Sequence, residues 1–213
     1  MASVLALSSR CPAGIAPPPV WPRALVVVQR RVPDRDARVG PATTVTYYDY
    51  ERGANLIQIR PDPARGEGGK TAPVVWDLEL NTGRSYYFVP SARTCTAVAF
   101  PVGILRPGWL EGATPLGRSA STWRRAHGDG ESEARGAAPP GEAAATDRAV
   151  CGWTKGDFVD YYADAATGVP DSWYFHTMKA TFRVLNYTAI GDLSWSHDTI
   201  DPALFVPPDY CFS

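Results

Sequence analysis

Two acidic residues alternate with apolar ones in residues 74–80, where a single residue separates Asp77 from Glu79. Such alternation is typical of a β-strand and would place Val75, Asp77 and Glu79 on one face. Carboxylates two residues apart on a strand lie roughly 6.5–7 Å apart, a separation that glycosidases use for their paired acids. The candidate partners for such a pair elsewhere in the chain are Glu111, Asp160 and His176.

The same two acids also have an ordinary structural interpretation. One face of an antiparallel hairpin commonly faces water and carries acidic residues. The chain contains no GxSxG, HExxH or P-loop sequence, and its three histidines, His127, His176 and His197, are dispersed. Catalysis by Asp77 and Glu79, as glycosyl transfer or hydrolysis in a carbohydrate-active enzyme, is therefore an alternative, and the balance is against an enzyme.

The four cysteines, Cys11, Cys95, Cys151 and Cys211, are far apart and form no CxxC pair. We therefore expect no metal held by clustered thiolates. Their even number in an aromatic-rich chain predicts two disulfides and an oxidising compartment, with four buried thiols in a reducing compartment as the alternative. Four cysteines allow three pairings, and the residues alone do not choose among them.

Asn186 begins the triplet Asn-Tyr-Thr, which fits the acceptor pattern for N-glycosylation. The pattern also occurs by chance, so its use depends on a secretory context.

Composition excludes several function classes. Lys and Arg number 21 against 22 Asp and Glu, without a basic stripe, so nucleic acid is not an expected partner. The longest apolar runs are too short to cross a bilayer, so no transmembrane segment is expected. The chain has 213 residues, of which 45% are hydrophobic, enough for one domain with a sizeable core.

The 20 prolines, 19 glycines and many aromatic residues favour short strands over long helices. We predict eight to ten strands in an antiparallel all-β domain that is closed or half-closed. The predicted strands are residues 24–29, 43–50, 55–60, 74–80, 84–89, 94–100, 150–153, 158–163, 172–178 and 181–190.

Three further segments differ from the strands in composition. Residues 1–20 are rich in proline and alanine and are expected to be extended, ahead of a single β domain over 21–213. Residues 101–117 contain several prolines and glycines and predict a shaped loop. The run 118–148 is too polar and too rich in glycine and alanine to bury a core, which predicts a disordered insertion.

Several blocks, taken in order, resemble the ependymin-related protein superfamily, and its uncharacterised plant and algal homologues most closely. The C-terminal block is Asp-Pro-Ala-Leu-Phe-Val-Pro-Pro-Asp-Tyr-Cys at 201–211, which resembles the family ending D-P-x-x-F-x-P-P-x-x-C. The others are Cys11 with Trp21, Tyr-Tyr-Asp-Tyr at 47–50 with Asn-Leu-Ile at 55–57, residues 102–113, residues 151–162, and the triplet at 186–188.

The resemblance implies two curved antiparallel sheets that form a half-open barrel around an apolar pocket, similar to bacterial lipoprotein carriers. It implies a secreted or endomembrane-lumen protein that binds a lipid or another hydrophobic small molecule. Calcium is implied by the resemblance alone, and the acidic run 127–131 does not match an EF-hand. No other cofactor or metal site is expected. An extracellular structural or adhesion protein with a filled core is the remaining alternative.

The aromatic residues of the strands are the candidates for lining such a pocket, or else for filling a core. Because neighbouring strand positions point to opposite faces, we expect about half of them to face a ligand. They are Trp76, Tyr86, Phe88, Phe158, Tyr161, Trp173, Phe175 and Phe182.

Family precedent implies a disulfide between Cys95 and Cys211, which leaves Cys11 with Cys151. Two features depart from the family: an additional cysteine pair of the animal members is absent, and residues 1–10 do not have the pattern of a signal peptide. We nevertheless expect a secreted or vacuolar-lumen location, with the natural start further upstream. A homodimer is a further expectation.

Overall fold

The computed structural model describes residues 17–63, 72–121, 149–191 and 199–212. These ranges contain eleven strands and three short 3-10 helices, which span Pro90–Ala92, Pro202–Phe205 and Asp209–Cys211. The strands are β1 (Ala24–Pro33), β2 (Ala42–Asp49), β3 (Ala54–Pro61), β4 (Val75–Leu80), β5 (Arg84–Val89), β6 (Thr94–Ala99), β7 (Thr114–Ala120), β8 (Ala149–Lys155), β9 (Val159–Asp164), β10 (Pro170–Phe175) and β11 (Ala180–Ile190).

All eleven strands belong to one sheet, in the order β6-β5-β4-β3-β2-β1-β11-β10-β9-β8-β7. The pairings are antiparallel, and the edge strands β6 and β7 do not pair with each other, so the sheet is not closed. The predicted all-β, half-open fold is confirmed. The sheet arrangement differs from the prediction: the two expected sheets are one hydrogen-bonded sheet, because β1 pairs with both β2 and β11.

The hairpin of β4 and β5 shows why the strands could be read from the sequence. Apolar and polar residues alternate along β4, and the turn at 81–83 contains Gly83 with a φ of +86°, a conformation that favours glycine. Asp77 lies opposite Tyr87 and Glu79 lies opposite Ser85 in the resulting register. The predicted hairpin and its shared acidic face are therefore confirmed.

The sheet buries a core on each face. We call the face that carries Asp77 and Glu79 the inner face and the opposite one the outer face. The inner core lies mainly on the half formed by β1 and β8–β11, where Trp21 packs against Tyr48, Trp109 and Trp173 and donates a 3.2 Å hydrogen bond to Tyr161. The outer core lies on the other half. Its fully buried members Leu56 and Leu78 are covered by the C-terminal segment 199–212.

The segment 114–120 corrects the sequence prediction. We expected a loop up to 117 and a disordered insertion from 118, but Thr114–Ala120 forms strand β7. Proline normally disfavours a strand because it cannot donate to the ladder. Pro115 is tolerated because β7 is an edge strand with an irregular register between Pro115 and Gly117. The rest of the expected insertion, apart from residue 121, lies outside the described residues, as do residues 1–16 of the expected N-terminal extension.

The C-terminal segment is fastened to the edge of the sheet. Cys211 forms a disulfide with Cys95 of β6, as the family resemblance implied. Phe205 and Ile200 of the same segment are buried in the outer core. The disulfide therefore closes a loop of 116 residues and holds an apolar cover over β3–β6.

Replacing both Cys95 and Cys211 with serine should lower the free energy of unfolding by about 2–5 kcal/mol, because the unfolded chain regains the entropy that the closed loop removes. Urea unfolding followed by tryptophan fluorescence measures this loss. Thr94→Ala, at an exposed position of the same strand, is the control. An unfolding free energy equal to that of the wild type would contradict a stabilising role for this disulfide.

Candidate ligand-binding site

A cavity of about 460 Å³ lies on the inner face. Strands β1–β5 form its floor, β10 and β11 form one wall, and residues 100–105 lie over it as a roof. Most of the surrounding side chains are apolar. The aromatic and aliphatic ones are Trp21, Tyr48, Ile57, Ile59, Tyr87, Phe100, Val102, Ile104, Leu105, Trp109, Phe158, Trp173, Phe175, Met178 and Phe182.

Hydrogen bonds to β2 and to the turn after β4 hold the roof, and two of them involve side chains. Asn81, in the turn after β4, accepts a 2.9 Å bond from the backbone N–H of Ile104, and the Tyr48 hydroxyl donates a 2.8 Å bond to the carbonyl of Leu105. Gly103 adopts a φ of +66°, and a Cβ there would lie 2.6 Å from Asn81 Oδ1. The predicted shaped loop is thus the cover of the cavity, and its position depends on Asn81.

A polar group interrupts the apolar lining at the end nearest Asn81. We call Asp77, Glu79 and Asn55 the carboxyl cluster. Asn55 lies opposite Glu79 in the register and donates a 2.7 Å bond from Nδ2 to Glu79 Oε2. Ser85 of β5 donates a 3.0 Å bond from Oγ to Asp77 Oδ1. Both acids therefore point into the cavity and are bonded to neutral donors.

Burial changes the acidity of both carboxyl groups. Desolvation raises the pKa of Glu79 to about 7, with the Asn55 hydrogen bond lowering it and the charge of Asp77 raising it further. Desolvation also raises the pKa of Asp77, against hydrogen bonding from Ser85 and Tyr87. The cluster can therefore hold or release a proton near neutral pH.

Two further polar side chains on the cavity floor lack partners among the described residues. Gln29 and Thr44 are neighbours across β1 and β2, with 3% and 1% of their surface exposed. Gln29 Nε2 and Thr44 Oγ1 are buried without a hydrogen bond, as is Asn55 Oδ1. Buried polar atoms in native proteins are rarely left unpaired. These atoms therefore mark places where a bound molecule would supply the missing partner.

The structure divides the eight predicted pocket aromatics between the two faces. Phe158, Trp173, Phe175 and Phe182 line the cavity. Tyr161 is fully buried in the inner core beneath Trp21 and does not reach the cavity. The remaining three, Trp76, Tyr86 and Phe88, belong to the outer core and do not line the cavity. Each is adjacent in its strand to Asp77 or Tyr87, and adjacent strand residues point to opposite faces of the sheet.

The candidate catalytic partners do not join the two acids. His176 Nε2 lies 3.1 Å from Asp160 Oδ1, and Asp160 points to the outer face with Tyr174, its partner in register. Glu111 lies beyond the roof, in an exposed ion pair with Arg106. Asp77 and Glu79 instead have Asn55, Ser85 and Tyr87 as neighbours, which the sequence alone did not indicate because they come from other strands.

The other predicted site residues lie away from the cavity. Asn186 is exposed on the outer face of β11, and its glycosylation stays a prediction. Cys151 is buried in β8, and none of the described cysteines is a free thiol, but Cys11 lies outside the described residues, so their pairing also stays a prediction. The acidic run 127–131 lies outside them too. Within the described ranges, no group of three or more His, Cys, Asp or Glu is placed to hold a metal ion.

The fold and the cavity together define an antiparallel β protein with a small-molecule-sized cavity on one face of an open sheet. The chain belongs to the family described as Domain of unknown function (DUF8395), whose family model matches residues 20–127, just over half of the chain. The match covers β1–β7 and the roof, and so includes the carboxyl cluster. No curated protein matches the chain. In the part of the chain that the structure describes, no helix is long and apolar enough to span a membrane.

The raised pKa of Glu79 predicts a pH-dependent stability. The folded chain binds the Glu79 proton more tightly than the unfolded chain, whose glutamate titrates near 4.5, so stability falls as the pH rises from about 4.5 to about 7. Glu79→Gln should remove about 2 kcal/mol of the difference in unfolding free energy between about pH 5 and pH 7.5.

Urea unfolding at both pH values measures that difference. Glu51→Gln is the matched control, since Glu51 is an exposed glutamate. If Glu79→Gln and Glu51→Gln showed the same pH dependence as the wild type, Glu79 would not be the titrating group.

Proposed function

We propose that the protein binds a hydrophobic ligand, a lipid, in the inner-face cavity. The observation that carries this proposal is the composition of the lining, which is apolar and aromatic over most of its surface and carries a small number of polar groups, among them the carboxyl cluster at one end. Small-molecule sites commonly have volumes of roughly 300–1,000 Å³ and combine apolar walls with a few polar groups that orient the ligand. The cavity of about 460 Å³ falls in that range.

Burial of the ligand's apolar surface would supply most of the binding free energy. Apolar surface removed from water contributes about 25 cal/mol per Å². The cavity walls would also gain van der Waals contacts, because Phe158, which is 40% exposed, and its neighbour Phe175 line a space that they do not fill. A chain or ring system placed against them would restore these contacts.

Three features support a secreted or endomembrane-lumen setting as part of the proposal. The disulfide between Cys95 and Cys211 is of a kind that persists in oxidising compartments. The blocks that resemble those of ependymin-related proteins, a superfamily of secreted or lysosomal proteins that bind lipid, favour the same setting. Asn186 is exposed, as an acceptor for N-glycosylation has to be.

Filling the cavity should weaken binding strongly. Thr46 lines the cavity floor, whereas Thr43 of the same strand lies on the outer face beside Arg30. We expect Thr46→Trp to reduce binding of a neutral fluorescent probe such as Nile red by about tenfold or more, and Thr43→Trp to leave it unchanged.

Native mass spectrometry of protein purified without added lipid provides a second readout. Co-purifying lipid mass on the wild type and the Thr43→Trp variant, but not on Thr46→Trp, is the expected result. An empty wild-type protein that binds no probe would contradict lipid binding and would favour the structural or adhesion interpretation.

The carboxyl cluster gives a second candidate, a carbohydrate-active enzyme. Asp77 and Glu79 line one cavity, and a glutamate with a pKa of about 7 suits the general acid of glycoside cleavage. If the protein is such an enzyme, a panel of aryl glycosides will include one that the wild type cleaves, and Glu79→Gln and Asp77→Asn will each lower its kcat/KM by at least about 100-fold. Absence of turnover by the wild type across the panel would exclude this candidate.

A further inference from the structure

We propose that the ligand of this cavity is a cationic amphiphile, a long-chain amine whose ammonium head group binds at the carboxyl cluster. The inference rests on the proposed function above and names the chemical class of the ligand. It depends on which polar atoms at this end of the cavity are left without partners, and on the charges that surround them.

The open hydrogen-bonding positions of the cluster are mostly acceptors. Asn55 donates one of its two Nδ2 hydrogens to Glu79, and its acceptor Oδ1 is buried without a partner among the described residues. Asp77 and Glu79 are acceptors when ionised. An ammonium group has three donors and no acceptor, so it matches this set, whereas an ionised carboxylate or phosphate head group has only acceptors.

The charge of the cluster is also uncompensated. Ser85 and Asn55 are neutral donors, and among the described residues no lysine, arginine or histidine lies within 4.0 Å of either carboxylate. A buried carboxylate without a cation is unfavourable, and a charge-assisted hydrogen bond from an ammonium group would offset that cost.

Arg31 is the cavity's own cation, but it lies at the far end. Glu79 is in register with Asn55, Tyr48 and Leu25 across the floor. Arg31 is six residues further along β1 than Leu25, which places its backbone about 20 Å from the level of Glu79 at the rise of a strand. It is four residues further than Val27, which is in register with Asp77, so it lies about 13 Å along the strand from the level of that acid, with two further strands between them. It therefore cannot neutralise the cluster. Its Nε already donates a 2.8 Å bond to the carbonyl of Gly40.

Independent evidence for a bound molecule comes from the middle of the floor. Gln29 and Thr44, whose unpaired polar atoms were described above, line the same cavity and are almost completely buried. They lie between the carboxyl cluster and Arg31 along the floor. A ligand anchored at the cluster and extending along the floor would pass over them, and a hydroxyl or amide part-way along its chain would bond to them.

The position of the cluster relative to solvent fits a charged head group. Tyr87 and Val102 line the cavity close to the cluster and are 41% and 82% exposed. The wall at the other side consists of Phe175, Phe182 and Met178. The head group would therefore stay near the mouth while the apolar chain enters the cavity.

Three ligands of equal chain length test the inference: dodecylamine, dodecanol and dodecanoate, each titrated into the full chain at about pH 7.5 in competition with Nile red. The wild type should bind dodecylamine at least about tenfold more tightly than dodecanol, and dodecanoate most weakly. Glu79→Gln and Asp77→Asn should each bring the ratio of amine affinity to alcohol affinity towards one. Glu51→Gln, a change of an exposed glutamate, should keep the wild-type ratio.

The outcomes separate this inference from the function on which it rests. Equal affinity for amine and alcohol, or tighter binding of dodecanoate, would overturn the cationic ligand while leaving hydrophobic binding in place. A wild-type preference for the amine that persists in Glu79→Gln and in Asp77→Asn would overturn the assigned position of the head group. Failure of all three ligands and of Nile red to bind would overturn both proposals.

Discussion

The pairing of β1 with β11 is the constraint on which the rest of the structure depends. It joins residues 24–33 to residues 180–190 and so connects two meanders, β2–β6 and β7–β11, into one sheet. The register shifts between Val28 and Gln29, where Leu185 of β11 is the extra residue. A bulge of this kind bends and twists the strand. Val27 and Gln29 both face the inner side because they are two residues apart on β1. The shift lets Tyr187 and Val184, which are three residues apart on β11, lie opposite them on that same face, and one inner surface runs across both halves.

The two halves then use their faces differently. On the half formed by β3–β6, apolar residues such as Leu56 and Leu78 are buried on the outer face by the C-terminal segment. That burial stabilises this half without an apolar layer on its inner face. The inner face can therefore carry Asn55, Asp77 and Glu79, and the space above them remains open beneath the roof. The disulfide at Cys211 supports this arrangement, since it keeps the outer layer in place.

In the absence of a ligand, the ionised carboxyl cluster lowers the free energy of unfolding. Burial raises the pKa of both acids, which is the same as saying that their ionised forms destabilise the fold. Sites that bind charged or polar ligands commonly contain such unfavourable groups, and their stability is supplied by packing elsewhere. In this chain the packing comes from the two cores, above all from the aromatic group around Trp21.

Local patterns in the sequence determined ten of the eleven described strands, all but β7, and the hairpin of β4 and β5, because alternation with a period of two and a glycine turn act over a few residues. They placed Asp77 and Glu79 on one face but could not say whether that face met water or a cavity. Trp76, Tyr86 and Phe88 were assigned to the pocket on their chemistry, and only the tertiary structure showed that the C-terminal segment covers them. The same holds for Asn55 beside Glu79 and for Asn81 beneath the roof. Those neighbours are set by pairing between distant strands, and a contact of that kind leaves no local signal in the residues that make it.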